Sequence, residues 1–101
     1  MPSRRRLSLS PTAENDLADI LQYTEQRWGT EQADSYQAML RRALLELLEY
    51  PHIGRARPDL PAGYRSRLAD QHLIYYRIEE EVIRVSRIVH SRRDIRAHML
   101  E

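Results

Sequence analysis

The sequence predicts a single α+β domain in which two antiparallel helices pack on one face of a small antiparallel sheet. Two segments near the N-terminus carry apolar residues at helical spacing, and only two or three residues join them. The second half of the chain contains three short segments with the patterns of strands. The length of 101 residues fits one domain, residues 1–101, with the element order β-α-α-β-β-β.

The first strand and the first helix are predicted by a change of sequence period at Ser10. Residues 5–9 alternate between polar and apolar side chains, which is typical of a short strand. Ser10 is a good helix N-cap, and Pro11 suits the first helical position. Apolar residues then recur every three or four positions as far as Trp28, after which Gly29 can cap the helix.

The second helix is predicted to begin after Thr30, which can cap it, and to end before Pro51, which cannot continue a helix. Its apolar surface is wider than a single seam. The pattern favours a central core helix, and an added docking groove is the alternative. The main apolar stripe consists of Ala33, Tyr36, Leu40, Ala43, Leu44, Leu47 and Leu48.

The remainder of the chain is predicted to be a long loop followed by a β-meander. Residues Pro51–Gly63 contain three prolines and two glycines, so no regular element is expected there. A loop of this length in a compact domain is usually functional or draped over the core. The predicted strands are Tyr64–Ala69, His72–Ile78 and Val82–Val89.

The end of the chain is predicted to form a short helix. Asp94 is a suitable N-cap, and Ile95 and Met99 then fall on one side of the helix. Leu100 and Glu101 are expected to fray, as chain ends commonly do.

Both faces of the predicted sheet carry apolar side chains, although a helical hairpin can cover only one of them. We therefore expect a second chain to cover the other face. Alternation along the last strand assigns one face to Ile83, Val85, Arg87 and Val89.

The composition excludes several classes of protein. The chain has no cysteine, which removes disulfides, thiolate nucleophiles and cysteine-based zinc sites. With 42% hydrophobic and 31% charged residues and no long apolar stretch, it is expected to be a cytoplasmic protein without a membrane span or an export signal. No metal-ligand spacing or glycine-rich phosphate loop is present in the sequence, so no cofactor and no metal are expected.

Arginine supplies all sixteen positive side chains, and ten of them lie in the second half of the chain against seven acids. A GC-rich coding sequence and bidentate binding of phosphates or carboxylates are two explanations of this bias, and the first is favoured. Arg55, Arg57, Arg65 and Arg67 lie close together in sequence and could form a contact patch for an anionic partner. A solvated edge that pairs with acids such as Asp59 is the alternative.

Arg87 stands between Val85 and Val89 in an otherwise apolar row, and a buried guanidinium requires a partner. The interpretation favoured by the sequence is an ion pair with Asp59 or Asp70. The functional alternative is stabilisation of a phosphate or of a developing negative charge.

His90 follows the last predicted strand and is surrounded by arginines. It could donate a proton to a leaving oxygen, but a surface or capping histidine is the favoured interpretation. The tyrosines of the sheet could stack on bases, although core packing is favoured for them. These tyrosines are Tyr64, Tyr75 and Tyr76.

Several segments, taken together and in order, resemble the ParE branch of the RelE/ParE superfamily of toxins, which includes plasmid-stabilisation proteins. The resemblance extends from Leu7 to His98. It rests on residues 9–17 with Ile20, Tyr23, Trp28 and Gly29; on Pro51-His52-Ile53-Gly54-Arg55-Ala56-Arg57; on Tyr75-Tyr76-Arg77-Ile78; and on Val89-His90-Ser91-Arg92-Arg93-Asp94.

The resemblance implies the toxin of a type II toxin–antitoxin system, neutralised by direct binding of a cognate antitoxin of the ParD-like ribbon-helix-helix kind. ParE-type members inhibit DNA gyrase and thereby block DNA replication, without a catalytic site of their own. RelE-type members instead cut messenger RNA on the ribosome, and Arg65 or Arg67, Arg87 and His90 fall at comparable places here. This chain has no lysine and no tyrosine after His90, so a cleaving mechanism lacks an obvious base.

The resemblance also implies a toxin–antitoxin hetero-oligomer in which the toxin alone binds no specific nucleic-acid sequence. As antitoxin anchors we expect Trp28, Tyr36 and Met39, because large apolar and aromatic groups usually carry binding energy. The antitoxin is expected on the outer surface of the hairpin and on an exposed edge or face of the sheet. Contacts to the target are expected from Arg55, Arg57, Arg92 and Arg93.

Overall fold

A computed structural model describes residues 5–100 and contains two α-helices, a five-stranded sheet and a short 3-10 helix. Neither α-helix is long and apolar enough to cross a membrane, within the described part of the chain. The elements are β1 (Arg6–Leu9), α1 (Pro11–Trp28), α2 (Thr30–Glu49), β2 (Arg55–Ala56), β3 (Tyr64–Ala69), β4 (His72–Glu79), β5 (Val82–His90) and the 3-10 helix Ala97–Met99.

The helical hairpin forms as predicted, with an even tighter connection. The Ser10 hydroxyl accepts a hydrogen bond from the Ala13 N–H at 3.0 Å and so caps α1. Gly29 alone joins the helices. Its backbone φ is +92°, a value that residues other than glycine rarely adopt. The prediction that Thr30 caps α2 is wrong, because Thr30 is already the first helical residue and Gly29 holds the cap position.

The sheet has the strand order β1-β5-β4-β3-β2. The three long strands form the predicted antiparallel meander. Two features differ from the predicted sheet. β1 pairs with β5 in the parallel sense, and the long loop contributes a fifth strand, β2, which pairs with β3 through only two residues. A two-residue strand has too little sequence pattern to be recognised.

A β-bulge on β5 changes the predicted assignment of side chains to the two faces. Tyr75 lies opposite Arg87 and Tyr76 lies opposite Val85, so Ser86 is an extra residue in the ladder. Alternation is interrupted at that point. Ile88 therefore joins the core under the helices, whereas Val89, which was predicted on that face, belongs to the opposite one.

The main core lies between the hairpin and the sheet and is built from aliphatic side chains and Tyr76. Tyr75 and Tyr64 are buried on the other face, which confirms the preference for core packing over base stacking for all three sheet tyrosines. The buried members of the main core are Ala13, Leu40, Ala43, Leu44, Leu47, Ala69, Ile74, Tyr76, Ile83, Val85 and Ile88.

The C-terminal segment covers part of the second face of the sheet. Leu100 is buried there beside Tyr64, whose hydroxyl donates to the Leu100 carbonyl at 2.8 Å and lies 2.7 Å from the Ser86 hydroxyl. The chain itself therefore supplies part of the cover that the sequence predicts from a second chain. The prediction of fraying is wrong for Leu100, and Glu101 lies outside the described residues.

The short C-terminal helix is also displaced from its predicted position. The 3-10 turn begins after Arg96, so Asp94 does not cap it. Ile95 packs against the cluster on the second face, and residues 91–96 form no helix.

Candidate functional site: a hairpin groove and an arginine cleft

A groove of about 800 Å³ runs between the helical hairpin and the turn that joins β3 to β4. Its rim carries two large exposed aromatic side chains, Tyr23 at 60% and Trp28 at 67% exposure. Exposed aromatic groups beside a concavity are typical of a protein-binding surface. We call this feature the hairpin groove, and its main lining residues are Ile20, Tyr23, Trp28, Tyr36, His72 and His90.

Tyr36, His72 and His90 form a cluster in the hairpin groove, held by a hydrogen bond and by edge-to-face ring contacts. The Tyr36 hydroxyl lies 2.6 Å from His72 Nδ1 and accepts from the Gln71 N–H at 3.3 Å. The rings of His72 and His90 meet edge to face at 5.5 Å. Which of the two groups donates the proton in the bond between Tyr36 and His72 Nδ1 depends on the tautomer of His72.

Burial shifts both partners of this hydrogen bond toward their neutral forms. Burial, opposed by the Gln71 hydrogen bond, raises the pKa of Tyr36. Burial and then the neighbouring His90 lower the pKa of His72, while Asp70 acts in the opposite direction. Both shifts therefore favour the uncharged forms of Tyr36 and His72.

The three predicted antitoxin anchors occupy different environments. Trp28 is exposed on the rim of the groove, with the Arg27 guanidinium 5.7 Å from its ring. Tyr36 lines the groove and is half-buried. Met39 is also partly buried but packs against the main core and does not line the groove. Tyr23, which we had not singled out as an anchor, is the second exposed aromatic group of the rim.

A second concavity, of about 520 Å³, lies on the opposite face of the sheet, and we call it the arginine cleft. It brings together three of the four predicted target-contact residues, Arg55, Arg57 and Arg93. Arg92 does not line it; the Arg92 N–H donates to His90 Nδ1 at 3.1 Å. The remaining lining residues are Asp59, Ser66, Leu68, Leu73, Tyr75, Ser91, Asp94 and Ile95.

The guanidinium of Arg57 is the best-anchored cation of the arginine cleft. It lies 5.4 Å from the centre of the Tyr75 ring. It also forms a bidentate ion pair with Asp59, with distances of 3.0 Å from Nε to Oδ1 and 2.7 Å from Nη2 to Oδ2. The hydrogen bonds to Asp59 raise the pKa of Arg57, and the same bonds lower the pKa of the Asp59 carboxyl. The predicted pairing of this patch with Asp59 is therefore found at Arg57.

Arg65 and Arg67, two candidates for a nuclease site, contact structural elements on the helix side of the sheet. Arg65 Nε donates to the Gly54 carbonyl at 2.9 Å and fixes the long loop. Arg67 donates to the Ala43 carbonyl and to Glu46, both at 2.7 Å, and so ties β3 to α2.

Arg87 pairs with Asp16 of α1, so the predicted partners Asp59 and Asp70 are wrong. Its Nε and Nη2 lie 2.7 and 3.0 Å from the two carboxylate oxygens, and both side chains are largely buried. These hydrogen bonds raise the pKa of Arg87. Asp16 also accepts from the Ile88 N–H at 3.0 Å. No local sequence pattern relates Asp16 to β5.

The candidate nuclease residues are thus held in separate contacts. Arg65 and Arg67 hold the loop and α2, Arg87 holds α1, and His90 lies beside His72 at the hairpin groove. The described contacts do not bring the four side chains to one point.

Comparison with known proteins assigns the chain to a family. The sequence matches the model of the ParE toxin of type II toxin–antitoxin systems, parDE, over residues 7–95. The chain belongs to the ParE toxin family. It is 38% identical over 91 residues to Toxin ParE1 of Caulobacter vibrioides, covering 90% of this chain and 94% of that protein. Toxin ParE1 of Mycobacterium tuberculosis (strain CDC 1551 / Oshkosh) is also 38% identical over 91 residues, covering 89% and 93% respectively.

The fold is shared with a solved structure described as a chromosomal ParDE TA system from P. aeruginosa. The two chains superpose with a TM-score of 0.75 at 20% sequence identity, over 86% of this chain and 96% of that one. This confirms the predicted α+β architecture of a ParE toxin, with the two changes to the sheet described above.

One of the segments on which the ParE resemblance rests, residues 51–57, has a clear structural role in this chain. The buried hydroxyl of Tyr76 donates to the Pro51 carbonyl at 2.6 Å and accepts from the Gly54 N–H at 2.9 Å. Arg65 donates to the Gly54 carbonyl. These bonds fix the loop so that it delivers Arg57 to the arginine cleft.

Proposed function

We propose that this chain is the toxin of a type II toxin–antitoxin system that inhibits DNA gyrase, and thereby DNA replication, and that a cognate antitoxin neutralises it by direct binding. The observation that carries the proposal is membership of the ParE toxin family over residues 7–95. The protein acts in the cytoplasm, where gyrase and its DNA are found.

The arrangement of the arginines supports inhibition by contact over cleavage of messenger RNA. Cleavage requires a base for the 2′-hydroxyl and a cation for the phosphate at the same point. Arginine does not lose its proton in proteins, and Arg87 and Arg67 are already paired with Asp16 and Glu46. His90 lines the hairpin groove, and neither of these arginines does.

The hairpin groove supports an antitoxin segment as its occupant. An amphipathic helix can place apolar side chains along a groove of this kind, and the exposed rings of Tyr23 and Trp28 are suitable anchors. Such binding would bury two aromatic groups that are otherwise exposed to water. The product is a toxin–antitoxin hetero-oligomer with a ParD-like partner.

The proposal is tested by inducing the chain in cells without antitoxin and measuring DNA, RNA and protein synthesis by pulse labelling. A gyrase inhibitor stops DNA synthesis first and leaves messenger 5′ ends unchanged. New messenger 5′ ends, with protein synthesis stopping first, would favour the nuclease alternative. Co-expression of the antitoxin encoded beside the toxin is expected to restore growth.

Replacement of Trp28 by glutamate tests the position of the antitoxin. Loss of an aromatic anchor that is buried in a complex typically costs about 2 kcal/mol of binding free energy. We therefore expect Trp28→Glu to weaken antitoxin binding by about 30-fold in calorimetric titrations. The matched control is Leu45→Glu, which alters an exposed apolar residue of α2 outside the groove and leaves binding unchanged. Equal affinities of wild type and Trp28→Glu would contradict docking in the groove.

A further inference from the structure

The guanidinium of Arg57 has two sides with different environments. Its Nη1 faces the sheet, 3.2 Å from the Ser66 hydroxyl and 3.4 Å from the Tyr75 hydroxyl. Its Nε and Nη2 form the opposite edge, which binds both oxygens of Asp59. The side chain is only 14% exposed, so its position is fixed by the sheet and not by the ion pair alone. Arg57 is therefore a prepositioned fork for a carboxylate.

The carboxylate that occupies this fork is held much less firmly. Asp59 lies two residues after Arg57 in a tight turn, which is closed by the Leu60 N–H donating to the Arg57 carbonyl at 3.1 Å. Its side chain is 57% exposed. Solvent screens an ion pair with such an exposed partner, so the pair is weak and an external carboxylate can compete for the same fork.

The surroundings of the fork favour an acidic ligand. Arg55 and Arg93 also line the arginine cleft, against Asp59 and Asp94. Displacement of Asp59 would leave three arginines facing one acid. Electrostatic attraction of a negatively charged segment follows from this imbalance.

The same surroundings favour a protein segment over single-stranded nucleic acid. Binders of single strands offer open aromatic faces on which bases stack. Here Tyr75 is 2% exposed and its ring is covered by Arg57. The cleft instead presents the aliphatic side chains of Leu68, Leu73 and Ile95, which suit apolar residues of a peptide.

We propose that Arg57 is a carboxylate-binding residue for an acidic segment of a protein partner, and that Asp59 is an intramolecular competitor that occupies this site in the free chain. The partner's carboxylate takes the place of Asp59 on Nε and Nη2, while its apolar neighbours contact Leu68 and Leu73. The site is separate from the hairpin groove and does not depend on which enzyme the toxin inhibits.

The experiment measures binding of a short peptide of glutamate and leucine to the full-length chain by NMR titration. Asp59→Asn removes the competitor and is expected to raise the affinity about two- to fivefold, the range of an exposed ion pair. Arg57→Lys keeps the charge but loses the fork, so the affinity falls about fivefold or more. Thermal unfolding of each variant, and unchanged spectra at the main core, establish that the fold is retained.

The matched control is Asp34→Asn, which makes the same change of charge at an exposed position of α2 outside the arginine cleft. Equal gains from Asp59→Asn and Asp34→Asn would overturn the proposal, because net charge would then explain binding. Tighter binding of a short oligothymidylate than of the peptide would overturn the assigned ligand class. Either of these two results would leave the proposed inhibition of gyrase standing, because the pulse-labelling experiment tests that function separately.

Discussion

At the scale of single residues, Asp16 shows how one carboxylate can serve three donors. It accepts from two nitrogens of Arg87 and from the Ile88 N–H of β5. β1 pairs with β5 only as far as Val85, so Ile88 lies on an edge that β1 does not cover. Asp16 therefore closes this edge and compensates a largely buried guanidinium at once. What appeared in the sequence as a possible active-site arginine is a connection between α1 and the sheet.

His72 provides a prediction of pH dependence. Burial and the neighbouring His90 lower its pKa from the ordinary value of 6.5, so the folded state binds a proton less readily than the unfolded chain does. The stability from this group is complete at neutral pH and is lost as the pH falls below 6.5 toward the folded-state pKa. We expect the free energy of unfolding, measured by urea denaturation, to decrease over that range.

Replacement of His72 by glutamine separates this effect from general acid destabilisation. Glutamine can still form a hydrogen bond with Tyr36 but does not titrate, so the variant is expected to show a shallower dependence of stability on pH. His52→Gln is the control, since His52 is exposed and lies outside the hairpin groove. A full pH dependence in His72→Gln would show that another group is responsible.

At the scale of elements, the long loop is a packed structure whose position depends on Gly54. A Cβ at this residue would lie 2.6 Å from the Tyr76 hydroxyl oxygen and 2.8 Å from the Ser66 carbonyl oxygen. Both neighbours are parts of the sheet and cannot easily move. The close approach of the loop to β3 and β4 therefore requires glycine.

Gly54→Ala is expected to lower the free energy of unfolding by about 1–3 kcal/mol, the usual cost of overpacking, as measured by chemical denaturation. The control is Gly63→Ala, which has a positive φ of 88° but no atom within 4 Å of the added Cβ. Backbone strain alone costs about 1–2 kcal/mol there. A smaller loss for Gly54→Ala than for Gly63→Ala would mean that the loop is not tightly packed at this point.

The elements also show how far the sequence determines this fold. The hairpin was predictable because Ser10, Gly29 and Pro51 mark its helix ends locally. β2 and the bulge at Ser86 were not, because two paired residues or one extra residue leave almost no periodic signal. The groove and the pairing of Arg87 with Asp16 depend on contacts between residues far apart in the chain, which one sequence does not reveal.

At the scale of the whole molecule, the sheet separates two surfaces. The hairpin groove lies beside the helices and carries exposed aromatic rings, whereas the arginine cleft lies on the opposite face of the sheet and carries three guanidinium groups. A partner can occupy either surface without covering the other. This arrangement suits a toxin that has separate contacts for its antitoxin and for a large target.

Inhibition of gyrase is the central claim, and the supercoiling activity of purified gyrase on relaxed plasmid DNA measures it most directly. We expect supercoiling to decrease with increasing concentration of the purified chain and to recover when the cognate antitoxin is added. Supercoiling that remains unaffected at saturating concentrations of a folded, growth-arresting chain would contradict the account and direct the search for the target to the ribosome.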